Sequence, residues 1–222
     1  MIVHLVTDRR RLSATGSPME IRGCLLQQAR YAVDAGVDVL QIRERDLEAG
    51  DLVEITKAIV EVSRGSRTRV VVNDRVDVAL AAGAAGVHLP GHGLRPFEVR
   101  QIVPAKFIVG CSVHSPAEAR EARGADYLIA GTVWPSQSKV PGHPCLGIAG
   151  LAAVVHAATV PVLAIGGLTA SRAGAASAVG AAGIAAIGLF LGTSPDDACR
   201  AVPLTASIET LRSRFDTARS GS

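Results

Sequence analysis

The chain has 222 residues, of which 48% are hydrophobic and only 3% are aromatic. This length allows one large hydrophobic core, and the scarcity of aromatic side chains disfavours a surface that stacks nucleic-acid bases. The formal net charge is +3, and the basic cluster from Arg9 to Arg11 is expected to be a solvated loop. We therefore expect neither a nucleic-acid partner nor a membrane partner.

The cysteines show no C-x-x-C spacing, so reduced thiols in a cytoplasmic protein are expected. They are Cys24, Cys111, Cys145 and Cys199. The first residues carry their charges after an apolar stretch, which is the reverse of a signal peptide. The uncharged run at 173–191 is long enough to cross a bilayer, but its glycines predict a helix, a turn and a strand instead.

Eight short runs rich in valine, isoleucine and leucine predict buried parallel strands. Their bounds are 2–6, 37–42, 69–73, 86–89, 106–111, 126–130, 161–165 and 183–188. Helical patterns occupy 19–34, 50–63, 75–83, 95–102, 115–123, 147–157, 169–179 and 195–215. This repeated alternation favours an α/β fold, a single (β/α)8 TIM barrel covering 1–222 as one domain, over an open doubly wound sheet.

Polar side chains follow many of these strands at their carboxyl ends. In a closed barrel of parallel strands those ends meet on one face, where this fold places its catalytic groups. The sequence therefore predicts an enzyme whose active site is assembled from several strands.

The first polar group, at the end of the second strand, consists of Gln41, Arg43 and Arg45. Alternate residues of a strand face the same side, so all three are expected to point into the barrel mouth. A buried arginine requires an anion, and its planar guanidinium suits bidentate binding of phosphate. The alternative is that Arg43 pairs with an internal carboxylate as part of the scaffold.

The second polar group, Asn73 and Asp74, follows the third strand. A carboxylate in this place can hold Mg²⁺, which takes oxygen ligands and commonly bridges a phosphate. The alternative is that Asp74 caps the helix that follows it.

The third group combines a polar loop with late glycine turns. The loop carries hydroxyls and a lysine that suit phosphate capture, at Ser136, Ser138 and Lys139. The turns at Gly166–Gly167 and Gly188 expose backbone N–H groups, and the last two βα loops form the usual phosphate site of such barrels. Each turn alone is more often only a tight turn, but together these features predict a phosphate site.

The histidines His88, His114 and His143 lack the spacing of metal ligands. They are expected to be satisfied core or loop residues. Cys111 has no basic neighbour on its strand, so no cysteine nucleophile is predicted.

Five segments follow one another along the chain: QIRER, NDRVDVALAAGAAGVHL, GCSVHS, GADYLIAGTVWPSQSK and PVLAIGGL. In this order they resemble thiamine phosphate synthase and its relative, the thiazole tautomerase. The ordered set is specific, although each motif alone is not. The resemblance implies a (β/α)8 barrel and a cytosolic enzyme of thiamine biosynthesis. In the synthase, aminopyrimidine diphosphate loses pyrophosphate with Mg²⁺ assistance, and the nitrogen of thiazole phosphate captures the pyrimidine carbon.

The resemblance also implies roles for the matched positions. Those around the pyrimidine diphosphate are Gln41, Arg43, Asn73 and Ser112, with Asp74 on Mg²⁺. Those that handle phosphate groups are Ser136, Ser138 and Lys139, and those of the thiazole-phosphate turns are Gly166, Gly167, Ile187 and Gly188. Arg43, Ser112 and Lys139 are the candidate catalytic residues, and Arg45 joins the candidate substrate-binding residues.

Three positions depart from the family pattern. Arg45 stands where the synthase usually has lysine, and Gly93 stands where it has a second magnesium carboxylate. Thr132 stands where the tautomerase has its acid–base histidine, and threonine has no useful pKa near neutrality. The synthase is favoured because Asn73–Asp74 and the polar loop are kept. The alternatives are a tautomerase-like isomerase and a non-catalytic phosphate-binding relative. The oligomeric state is left open, with a homo-oligomer as one option.

Overall fold

The computed structural model describes residues 1–13, 16–136, 140, 142, 144–193 and 198–220, the side chains of 219 and 220 excepted. Its strands are β1 Ile2–Val6, β2 Val39–Ile42, β3 Arg69–Asn73, β4 Gly86–Leu89, β5 Ile108–Val113, β6 Tyr127–Gly131, β7 Val162–Ile165 and β8 Gly183–Ala186. All pairings are parallel, each strand pairs with the next along the chain, and β8 pairs with β1. The predicted (β/α)8 barrel is confirmed.

Helices follow the strands and pack around the sheet. They are α1 Arg9–Leu12, α2 Pro18–Asp34, α3 Ala49–Ser63, α4 Val76–Ala81, α5 Pro96–Arg100, α6 Pro116–Glu121, α7 Gly147–Ala157, α8 Ala170–Ala178 and α9 Thr205–Ser220, with a short 3-10 helix at Gly188–Phe190. Ser115 and Thr169 cap α6 and α8, each accepting a hydrogen bond from a backbone N–H of the first turn.

The core has two layers, because alternate residues of each strand face opposite sides. Ile129 and Leu163 pack inside the barrel, whereas Leu128 and Ala130 join the larger cluster between the sheet and the helices. Tyr127 also points inward, and a Cβ at Gly110 would overlap its ring. Glycine at 110 therefore makes room for a large polar-tipped side chain within the barrel.

The uncharged run at 173–191 divides as the sequence predicted. Most of α8, a turn, β8 and the 3-10 helix lie within it. Within the described residues, the helices lack the combination of length and hydropathy that crossing a bilayer requires.

The basic cluster near the amino terminus is not the solvated loop that the sequence predicted. It forms α1, which Asp8 caps by accepting a hydrogen bond from the N–H of Arg11. Arg9 pairs with Glu44 at 3.3 Å and with Asp46 at 2.5 Å. The hydrogen bond from the Arg9 guanidinium holds the pKa of the Asp46 carboxyl well below its usual range. These acidic partners stand some 35 residues away, so local sequence gave no sign of them.

The expectation of reduced thiols is wrong for two of the cysteines. Cys24 in α2 and Cys199 before α9 form a disulfide, with 5.7 Å between their Cα atoms. They are 175 residues apart, and they meet because the chain returns to its starting side when the barrel closes. The last helix also begins later than predicted, at Thr205 instead of 195.

Candidate active site

A cavity of about 630 Å³ opens at the carboxyl ends of the strands. Every sequence-predicted site residue that the structure describes lines it, except Asp74. These are Gln41, Arg43, Arg45, Asn73, Ser112, Ser136, Gly166, Gly167, Ile187 and Gly188. Ser138 and Lys139 lie outside the described residues. The structure thus brings together side chains that are spread over most of the sequence.

The cavity wall is positively charged. Arg11, Arg43, Arg45 and Arg200 line it, and no Asp or Glu is among the described lining residues. Burial, and then the neighbouring charge of Arg45, lower the pKa of Arg43. An unpaired cation held in such a place favours an anionic ligand.

The scaffold role that was the alternative for Arg43 is not observed. Glu44, the adjacent buried carboxylate, accepts hydrogen bonds from Thr7 Oγ1 at 2.6 Å and from Arg9. Among the described ion pairs, Arg43 takes part in none. Its guanidinium is therefore available to the cavity.

A chain of hydrogen bonds orders the amides on the cavity floor. His4 Nε2 lies 2.9 Å from Gln41 Oε1, and Gln41 Nε2 donates to Asn73 Oδ1 over 3.0 Å. Because an amide oxygen only accepts, His4 carries its proton on Nε2. Burial lowers the pKa of His4 to about 4, so the ring is neutral at pH 7. The remaining donor of Asn73, its NH2 group, is left for a ligand.

A second chain orders the hydroxyl of Ser112. His88 lies between Tyr127 and Ser112, with Nδ1 3.1 Å from the Tyr127 hydroxyl and Nε2 2.8 Å from Ser112 Oγ. Burial raises the pKa of Tyr127, which stays a phenol, and lowers that of His88, which stays neutral. In the described part of the chain the phenol has no other acceptor, so it donates to Nδ1 and His88 Nε2–H donates to Ser112. The hydroxyl proton of Ser112 is then free to bind a ligand.

The glycine turn after β7 has the backbone that the phosphate prediction requires. Gly166 has φ of 100° and Gly167 has φ of 59°, values that disfavour any side chain. A Cβ at Gly167 would overlap the carbonyl of Pro135. Arg172 donates to the carbonyl of Gly167 and stacks over Trp134 at 5.6 Å, which fixes the turn against the loop after β6.

Asp74 lies beside the cavity and not in its lining. It does not cap α4, whose N-cap is Arg75. Its side chain is exposed, accepts no hydrogen bond from a described residue, and sits on a backbone with φ of 65°, which is uncommon outside glycine. A Cβ at Gly93 would lie 3.7 Å from Asp74 Oδ1. Asp74 and Gly93 are thus neighbours at the cavity rim.

The rim residues fit Mg²⁺ only when a bound substrate supplies further oxygen ligands to the ion. Among the described residues, no group of three or more His, Cys, Asp or Glu side chains is arranged to hold a metal. One unpartnered carboxylate suits an ion that keeps its waters and takes further oxygens from a phosphate.

Sequence reasoning missed several residues of the site. His4 and Tyr127 lie within strands whose apolar pattern hides them, whereas Arg11 lies in α1 and Arg200 in the segment before α9, and neither directly follows a strand. His114 is a loop residue whose Nδ1 contacts the carbonyl oxygen of Gly131, as expected, but it also lines the cavity, which the sequence did not indicate. Alternation was the available signal for His4 and Tyr127, since both fall on the inward-facing register.

Known proteins are similar to this chain in both sequence and fold. A family profile described as thiamine monophosphate synthase matches residues 5–190. A thiamine-phosphate synthase of Methanoculleus marisnigri is 38% identical over 193 residues, which is 86% of this chain and 88% of that one. A thiamine-phosphate synthase of Anaeromyxobacter dehalogenans is 39% identical over 176 residues, which is 78% of this chain and 79% of that one.

Among solved structures, thiamine phosphate pyrophosphorylase of Pyrococcus furiosus superposes with a TM-score of 0.78 at 30% identity. The match covers 98% of this chain and 96% of that one. The matches in sequence and fold agree, and the chain therefore belongs to the thiamine monophosphate synthase family.

Proposed function

We propose that the chain is a thiamine-phosphate synthase, a transferase that joins aminopyrimidine diphosphate to thiazole phosphate and releases pyrophosphate. The observation that carries this proposal is the cavity wall, which combines glycine turns with arginines that take part in none of the described ion pairs, and which has no described carboxylate. Two phosphorylated substrates bring several negative charges, and such a wall is complementary to them. The names of the relatives support the same activity.

In this proposal the arginines act on the diphosphate. Arg43 and Arg45 bind its oxygens, so that they neutralise the charge that develops as the bond from carbon to the diphosphate oxygen breaks. The bonding electrons leave with pyrophosphate, and the lone pair of the thiazole nitrogen forms the new C–N bond. Ser138 and Lys139 are proposed to assist at the phosphate groups, as the family resemblance implies.

The two hydrogen-bond chains position the pyrimidine substrate. Asn73 offers its NH2 group and Ser112 its hydroxyl proton, and each donor is oriented by a neutral buried histidine. Donors fixed before the substrate arrives need little reorganisation during the reaction. Gly166, Gly167, Ile187 and Gly188 are proposed to receive the phosphate of the thiazole.

Asp74 is the residue proposed to hold Mg²⁺. When bound there, the ion would supply charge neutralisation to the leaving pyrophosphate. The exposed carboxylate, which takes part in none of the described ion pairs, supports this role, and the glycine at position 93 explains why the diphosphate has to provide the remaining ligands.

A second candidate, a tautomerase-like isomerase, rests on His114. This histidine lines the cavity and contacts Gly131. The next residue, Thr132, stands where the tautomerase has its acid–base histidine. A carbonyl oxygen accepts from Nδ1–H, so acid–base chemistry by His114 would use its other ring nitrogen, Nε2. Proton exchange on the thiazole, lost in His114→Gln, would favour this activity.

The deciding experiment is a turnover assay. The purified chain is incubated with aminopyrimidine diphosphate and thiazole phosphate, with and without Mg²⁺, and thiamine phosphate and pyrophosphate are quantified. Equimolar formation of both products in the presence of Mg²⁺ is expected. Proton exchange without either product would contradict the synthase and leave the isomerase.

Three further expectations stay predictions: a single domain over 1–222, a homo-oligomeric option and a cytoplasmic location. The Cys24–Cys199 bond is uncommon in that compartment, where thiols are kept reduced. Fractionation under thiol-trapping conditions would test the location and the bond together.

A further inference from the structure

We propose that Arg11 is a phosphate-binding residue of this cavity, and that it selects the phosphorylated thiazole over its unphosphorylated alcohol. The inference deepens the proposed function and rests on it for the identity of the ligand. Binding of the phosphate by Arg11 does not depend on turnover, so it can be measured separately from synthase activity.

The first observation is the position of the guanidinium. A Cβ built at Gly188 would lie 3.0 Å from Arg11 Nη2 and 3.7 Å from its Cζ. The guanidinium therefore rests over the turn at Gly188, and any larger residue at 188 would crowd it. A phosphate received by this turn would meet the planar fork of N–H donors that binds phosphate bidentately.

The second observation is that Arg11 lacks the partners that its neighbours have. Arg9 and Arg10, in the same short helix, both pair with Asp46, at 2.5 and 2.6 Å. Within the described ranges, no carboxylate or carbonyl accepts a hydrogen bond from the Arg11 side chain, which faces the cavity instead. Its charge is thus left for a ligand.

The third observation is that the backbone of Arg11 is fixed. The carbonyl of Leu12, a fully buried neighbour, accepts from the N–H of Arg200 over 2.8 Å, and Ser13 Oγ donates to the carbonyl of Ala198 over 2.6 Å. The Cys24–Cys199 disulfide joins the same two segments. A donor held on a rigid segment loses little entropy on binding, which favours affinity.

Calorimetry with inorganic phosphate, and separately with thiazole phosphate, tests the proposal. Arg11→Gln and Arg11→Met keep an unbranched aliphatic stem but lack the charged fork. In either variant the affinity for both ligands is expected to fall about 10- to 100-fold, which corresponds to a lost hydrogen bond to a charged group. Arg10→Gln, an exposed position on the same helix, is the matched control and should bind as the wild type does.

Selectivity is measured as the ratio of affinities for thiazole phosphate and the thiazole alcohol. This ratio should fall in the Arg11 variants and stay constant in Arg10→Gln. A folded Arg11 variant, judged by its thermal unfolding, that binds inorganic phosphate as tightly as the wild type would overturn the proposal. So would a wild-type chain that binds no phosphate.

The outcomes separate this inference from the proposed function. If the wild type forms no thiamine phosphate but its phosphate binding depends on Arg11, the synthase assignment fails and the Arg11 site stands. If synthase activity is present and the Arg11 variants keep the wild-type KM for thiazole phosphate, the Arg11 inference alone fails.

Discussion

His4 donates a hydrogen bond of 2.9 Å to Gln41 Oε1, and both side chains are buried below the cavity. The other ring nitrogen, Nδ1, has no partner within the described structure. A proton added at Nδ1 would thus be buried without an acceptor, which is why burial lowers the pKa of His4 to about 4.

The lowered pKa of His4 predicts that the free energy of unfolding decreases as the pH is lowered. In the unfolded chain a histidine has a pKa near 6.5, so the unfolded state binds a proton first. The contribution of His4 is therefore complete above about pH 6.5 and is lost as the pH falls towards 4. Between pH 7.5 and 4.5 the wild type should lose about 2–3 kcal/mol of unfolding free energy more than His4→Phe does.

Urea denaturation at both pH values measures this difference. Replacing the exposed His156 by Gln gives a matched control, and its pH dependence should equal that of the wild type. An identical pH dependence in the wild type and His4→Phe would show that His4 is not held neutral by burial.

Arg43 is predicted to bind the diphosphate directly. Arg43→Gln should weaken pyrophosphate binding by about 1.5–3 kcal/mol, because a charge-assisted contact is lost. Titration calorimetry checks this value. Arg69→Gln is the control, since Arg69 is an exposed arginine at the opposite, amino-terminal end of β3. Equal losses in the two variants would indicate a general effect of charge and not a contact.

Asp74 is predicted to govern the response to Mg²⁺. In Asp74→Asn, the Mg²⁺ concentration that gives half of the maximal synthase rate should rise at least about tenfold, because the carboxylate proposed to hold the ion is removed. Steady-state rates over a Mg²⁺ series provide the measurement. An unchanged Mg²⁺ series would remove Asp74 from the metal site.

Gly93→Asp is predicted to tighten Mg²⁺ binding at a cost in stability. The new carboxylate would stand next to Asp74, but Gly93 has φ of 153°, a conformation that L side chains rarely adopt. We expect a loss of about 1 kcal/mol in unfolding free energy, which Gly93→Ala should share without any gain in Mg²⁺ affinity. If Gly93→Asp binds Mg²⁺ no better than Gly93→Ala, the rim is not where the ion binds.

The Cys24–Cys199 disulfide is predicted to stabilise the fold by restricting the unfolded chain. It spans 175 residues, and the double variant Cys24→Ala/Cys199→Ala should lose about 2–4 kcal/mol of unfolding free energy. Chemical denaturation with and without a reductant measures the effect. The exposed Cys145→Ser serves as the control, and a wild type insensitive to reductant would contradict the prediction.

Local patterns in the sequence were sufficient for the barrel and for the location of the site. Short apolar runs predict strands because burial on both faces selects β-branched residues, and Ser115 and Thr169 satisfy their helix ends through neighbours three residues away. The polar residues at strand ends could be gathered into one site because parallel strands present their carboxyl ends together.

The sequence alone did not decide how these polar residues interact. From the sequence, Arg43 could equally have been a paired scaffold residue. In the structure the nearby carboxylate of Glu44 pairs with Arg9 instead. The boundaries of strands were less well predicted, since β2 begins two residues later than predicted and β8 ends two residues earlier, and Ile187 and Gly188, which follow β8, line the cavity.

The remaining contacts exist only because the barrel closes. β1 pairs with β8, and this brings Arg11, which follows β1, over Gly188, which follows β8. The same closure brings Cys24 to Cys199. The sequence determined that strands would form and which of their ends would be polar, through apolar spacing that acts within a few residues. Only the tertiary structure decided which distant side chains share a hydrogen bond or a phosphate site, because those contacts depend on the ring of strands being complete.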